Sequence, residues 1–206
     1  MNRKIALFLS VVFQPLLVPT LVFCVLFFVI PESTSIPKNA KWSMILLIAV
    51  TTLLIPMLSI IGMKMTATIR SYHMETIQER ILPFSMVSIF YLITTYFFQA
   101  RLNVDRLLVF TLWVMTVCII LLTLITFFWK ISAHLTGLSG LLAFILVLSI
   151  KYNTEILLYP LVGAILLCGA LGTARLYLNA HRPLEILGGF VLGFSVCFTS
   201  YYYFLL

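Results

Sequence analysis

Charge is what this sequence has least of. Of its 206 residues only 9% are charged and six are acidic, while 63% are hydrophobic and the mean hydropathy is +1.17. A water-soluble domain needs far more polar surface than that to cover its core, so the composition points away from a soluble protein. Cysteine is sparse and unpatterned. Cys24, Cys118, Cys168 and Cys197 each lie inside an apolar stretch with no CxxC or Cys/His spacing, so they read as packing residues, not as a disulfide framework or a metal site. There is no basic stripe either. Thirteen Lys and Arg give a net charge of +7, but they stand singly at the ends of apolar runs, where they serve headgroup contact and topology; no nucleic-acid partner is expected. The first apolar run, from Ile5 to Ile30, is too long for a signal-peptide core and has no small-residue cleavage site after it, so it is expected to stay as a span.

What the sequence does have is seven apolar segments, at 5–30, 42–63, 83–99, 105–129, 135–150, 156–179 and 184–206. A helix needs about 20 residues to cross a bilayer. Continuous apolar runs without two-residue alternation fit helices and not barrel strands. The expected fold is therefore all-α: a polytopic transmembrane helical bundle of six to seven spans, forming one integral membrane domain over residues 1–206. The third and fifth segments are short, and are expected to cross with little tilt or to be partly re-entrant. Trp42, Trp129 and Tyr201–Tyr203 fall at span ends, where aromatic rings favour the interface. Gly189 and Gly193 form a GxxxG beside Gly188 that would let the last span pack closely on a neighbour.

If each segment crosses once, the loops after the second, fourth and sixth spans share one membrane face. Those loops hold all three histidines, His73, His134 and His181, together with Arg80, Lys130, Arg175 and Arg182. The other face carries Lys38, Lys41, Arg101, Arg106 and Lys151. Ionisable residues gathered at one face mark a functional site by default. His181 and Glu185 are four apart, so one helical turn brings the carboxylate to the imidazole, and Pro183 suits the first position of that helix. A histidine oriented by a carboxylate is what a nucleophilic imidazole requires. Arg175, one span earlier, can reach the same point. Ser132 and His134 pair a hydroxyl with a second imidazole, suited to binding a phosphoryl oxygen and to protonating a leaving group. Arg80 offers the bidentate fork that phosphate prefers. Plainer readings stand beside these. Glu185 can simply favour a helix N-terminus, Lys130 can snorkel, Ser132 can cap a helix, and His73, with no local partner pattern, reads as interfacial packing.

The pattern Arg175-x5-His181-x3-Glu185, preceded by Ser132-x-His134 and by Arg80, resembles the type 2 phosphatidic acid phosphatase (lipid phosphate phosphatase) superfamily, whose motifs read KxxxxxxRP, PSGH and SRxxxxxHxxxD. The resemblance covers a phosphatase-like core at residues 64–206. Glu185 replaces the third-motif Asp, while Ile131 and Ala133 replace the Pro and Gly of the second. In the first motif His73 stands where Lys would be, and Ile81 replaces Pro. The resemblance implies a membrane hydrolase that uses neither metal nor other cofactor. In it His181 attacks phosphorus to form a phosphohistidine, Glu185 orients it, His134 is the general acid, and Arg80, Arg175 and Ser132, with Lys130 near, hold the phosphoryl group. Its partners would be a phosphorylated lipid substrate and the surrounding membrane lipids, in a multi-pass protein of the bacterial inner membrane. A non-enzymatic relative that binds or moves phospholipid is the alternative. A small transporter with a His/Glu proton relay is weaker, because no pair of broken helices appears in matching halves. The basic residues divide too evenly between the two faces to orient the chain.

Overall fold

A computed structural model of the protein describes residues 1–30, 33–72, 74, 76–102 and 104–206, and among them there are helices and no strands. The helices are α1 (Arg3–Val12), α2 (Val18–Cys24), α3 (Lys38–Ala49), α4 (Ile55–Met65), α5 (Ile77–Arg101), α6 (Arg106–Thr126), α7 (Ala133–Tyr152), α8 (Leu158–Tyr177) and α9 (Pro183–Leu205). Together they give seven stretches long and apolar enough to cross a membrane. The protein is a polytopic all-α membrane bundle, as its apolar runs require.

The third and fifth spans are not short. They are helices of 25 and 20 residues, because polar residues at their starts belong to the helix instead of ending it. Thr76 caps α5, its side chain accepting the Glu79 N–H at 3.3 Å, so Gln78, Glu79 and Arg80 lie in the first turns. Ser132 caps α7 in the same way. The first span departs from a simple helix at the prolines: α1 ends at Phe13, Gln14 is extended, and Pro15 opens a tight turn over Pro15–Leu17.

The chain divides into two compact units, one formed by residues 1–18 and 129–206, the other by residues 19–128. In the second unit α5 packs on α6. Hydroxyls join the two helices, Ser88 to Thr123 at 2.9 Å and Thr95 to Thr116 at 2.8 Å, and Thr116 and Thr123 also donate back to their own helix. Such pairs hold helices together where lipid offers no hydrophobic drive. Lys41, expected to mark topology, is buried instead, and its ammonium donates to the Phe27 carbonyl at 2.9 Å in a stretch of widened helical turn. All four cysteines are free thiols.

In the first unit α7 lies against α9, α8 and the Pro15–Leu17 turn, while α1 packs on α8. The approach of α9 to α7 rests on glycine. A Cβ on Gly193 would drive into the Thr136 carbonyl oxygen and the Ser139 hydroxyl, and one on Gly189 into the Ser132 carbonyl. From the opposite helix Gly140 makes room for the Cys197 sulfur, while on α9 itself Gly188 makes room for the Trp129 ring. The GxxxG thus has its partner, and the partner is α7. Gly193→Leu is expected to lower the thermal midpoint in detergent by overpacking worth about 1–3 kcal/mol or more. Gly62→Ala, where a Cβ meets nothing, should hold or raise it.

Candidate active site

Close packing of α9 on α7 brings the start of one helix beside the start of the other. The junction is sealed by backbone: the Ser132 N–H donates to the Glu185 carbonyl at 2.9 Å. The loop into α9 is shaped just as tightly. After α8 the Asn179 and Ala180 N–H groups bond back to the Leu176 and Arg175 carbonyls at 2.9 and 3.1 Å, with Asn179 left-handed at φ 51°. This is a Schellman ending, and asparagine is among the few residues that take the left-handed position readily. It reverses the chain at once and delivers His181. Arg182 is extended and Pro183 begins α9. The Glu185 carboxylate accepts the Arg182 N–H at 3.2 Å, meeting one of the unpaired donors of the helix start.

His181 is held through Nδ1. Its Nδ1 lies 3.0 Å from Glu185 Oε2 and 3.2 Å from the Lys130 carbonyl oxygen. Both neighbours can only accept, so Nδ1 carries a proton and donates to them. A neutral imidazole protonated there has its lone pair on Nε2. The ring is nearly sealed, with 1% of its side chain exposed against 14% for Glu185. Both residues line an open cavity of about 450 Å³ together with Lys130, Asn179, Ala180 and Arg182. Two cations against one carboxylate, at the N-terminal end of a long helix, suit the cavity to an anion.

The other expected site residues are distributed unevenly. Ser132 is fully buried, and its hydroxyl accepts the Leu135 N–H at 3.5 Å as the cap of α7, the plainer of the two roles its sequence position allowed. His134, in the first turn of α7, places Nε2 3.0 Å from the Ser10 carbonyl oxygen of α1. Arg175 lies in the last turn of α8, and among the described residues its Nε is buried without a hydrogen-bond partner. Lys130 contributes its carbonyl to His181 as well as lining the cavity. Arg80 belongs to the second unit, where it is buried and its Nε donates to the Met74 carbonyl at 2.9 Å. His73 lies outside the described residues. Sequence reasoning gave no role to Asn179 or to Ser10. The first had a legible signal in asparagine at a helix end; the second, acting through its backbone, had none.

The first unit thus holds a carboxylate-anchored histidine at the start of one helix and, among the described residues, a buried Arg175 Nε without a hydrogen-bond partner near the end of another. Comparison points the same way: residues 126–205 match the family model of the PAP2 superfamily, the superfamily that the histidine motifs resemble. That match supports a phosphatase-type function. No curated protein and no solved structure matches the chain.

The tautomer is open to direct measurement. In protein labelled with ¹⁵N-histidine, the neutral His181 ring is expected to show its proton on Nδ1, and a proton on Nε2 alone would contradict the geometry. Glu185→Gln, which keeps an acceptor but removes the charge, should leave that tautomer in place.

Proposed function

We propose that the protein is a membrane phosphatase that hydrolyses a lipid phosphate or pyrophosphate through a phosphohistidine at His181. The observation that carries this reading is the His181–Glu185 contact, which fixes the proton on Nδ1 beside a cationic cavity and so puts the lone pair on Nε2. In the first step that lone pair attacks phosphorus. The bond from phosphorus to the bridging oxygen breaks, its electrons leave with the alkoxide or phosphate, and His134 supplies the proton that neutralises the leaving oxygen. Positive charge gained by the attacking ring is offset by Glu185. In the second step water attacks phosphorus, the P–N bond breaks back to His181, and His134 recovers a proton from the water. Free phosphate leaves.

Arg175 supports the phosphate reading because a buried guanidinium N–H without a partner is what a phosphoryl oxygen satisfies. Lys130 and Arg182 add positive charge at the cavity, and Arg80 is assigned to phosphate by its motif position. Such groups, fixed before the charge develops, supply the largest part of many catalytic effects. Ser132 serves this mechanism by holding the loop, since its hydroxyl caps α7 and its N–H is bound to Glu185. Long apolar helices around the site suit a substrate whose tail stays in the membrane, as in a protein of the bacterial inner membrane.

Detergent-purified protein is expected to release phosphate from at least one of phosphatidic acid, phosphatidylglycerol phosphate and a polyprenyl pyrophosphate. His181→Ala should lower that rate on the order of 10³-fold or more. Full activity in the variant, or no release from any substrate by folded wild-type protein, would overturn the proposal. In the second case retained binding of phosphorylated lipid would identify a binder.

A further inference from the structure

The N-terminal helix α1 lies far outside residues 126–205, yet it touches a histidine of the site. The Ser10 carbonyl oxygen sits 3.0 Å from His134 Nε2. A carbonyl can only accept, so this nitrogen carries the proton and donates it. His181 is treated alike, with Nδ1 donating to the Lys130 carbonyl as well as to Glu185. Each imidazole has one ring nitrogen tied to a backbone oxygen, the arrangement by which proteins set the tautomer and aim the opposite nitrogen. Resting on the reading of the site as a phosphatase, we infer that α1 is part of the catalytic unit, and that Ser10, acting through His134, is a positioning residue for proton delivery to the leaving group. With one proton kept on Nε2 throughout, the proton given to the leaving oxygen and regained from water is the one on Nδ1.

The build of α1 fits this role. Its large apolar side chains, Ile5, Phe8 and Val11, are exposed, whereas the buried positions are the small Ala6 and Ser10. These lie four apart, on one side of the helix, and α1 packs on α8. Small residues allow the close approach that brings a backbone carbonyl within reach of a neighbouring side chain. Among the described residues the Ser10 hydroxyl is buried without a hydrogen-bond partner, so the Ser10 contact with His134 is made by the main chain and not by that hydroxyl. Beyond the contact the chain is bound again, since Val18 and Pro15 lie against Gly137 of α7. The N-terminal segment is thus fixed on both sides of its break at Phe13 and Gln14.

The test separates proton delivery from general damage. Full-length Ala6→Leu, which forces α1 away from its seat, is compared with wild type and with Phe8→Ala on the exposed side of the same helix. Each is assayed on a lipid phosphate with an alkyl-alcohol leaving group and on p-nitrophenyl phosphate, whose leaving group departs without needing a proton. The inference expects Ala6→Leu to lose kcat on the lipid at least ten times more than on the nitrophenyl ester, with KM for the lipid changed less than threefold. It expects Phe8→Ala to match wild type on both. Equal losses on the two substrates, or none, would overturn it. ¹⁵N-histidine spectra read the contact without activity: wild type should show His134 protonated at Nε2, and Ala6→Leu should release that preference. An unchanged spectrum in a folded variant also overturns the inference. Failure of wild type to release phosphate from either compound defeats the phosphatase reading and, with it, this assignment of Ser10.

Discussion

Everything at the site depends on how closely α9 can lie against α7. Gly189 and Gly193 stand where any Cβ would collide with the Ser132 and Thr136 carbonyls, so the two helices meet backbone to backbone. At that separation the Ser132 amide reaches the Glu185 carbonyl, and the Lys130 carbonyl reaches the His181 ring. In a bilayer apolar side chains gain little by leaving lipid for one another, so small residues and short polar contacts must supply the precision. A site assembled from two helix starts is only as exact as that contact.

The second constraint is where the protons sit. Both histidines of the unit are anchored at one nitrogen by main-chain oxygen, and His181 by a carboxylate too. Main-chain oxygens neither titrate nor change rotamer, so they give orientation that survives changes of charge elsewhere in the cavity. On the proposed mechanism Glu185 then has the separate task of balancing the positive charge that appears on His181 when phosphorus is attacked. Its extra methylene relative to the aspartate of the family motif does not keep it from the ring, since the 3.0 Å contact is made.

Much of this was legible in the chain itself. Seven spans follow from apolar run length. The pairing of His181 with Glu185 follows from a four-residue interval, and the close packing of α9 from its glycines. The full lengths of α5 and α7 are hidden in the sequence because polar residues inside the first turns, held by Thr76 and Ser132, look there like loop. Ser132 had two readings in the sequence, and its hydroxyl takes the capping one. The His134 contact with Ser10 was hidden for a different reason. It joins residues 124 apart through a main-chain atom that every residue possesses, so no residue type announces it. The buried Lys41 was hidden likewise, since a lysine beside a span looks the same whether it faces headgroups or a carbonyl.

The proposed mechanism turns on the nitrogen of His181 that faces phosphorus. The most direct measurement is rapid quenching of the protein during turnover of a phosphate-labelled lipid, followed by peptide mapping under alkaline conditions that preserve phosphohistidine. Label is expected on His181, at Nε2. Label on His134, or steady turnover with no phosphorylated histidine at any time point, would contradict it.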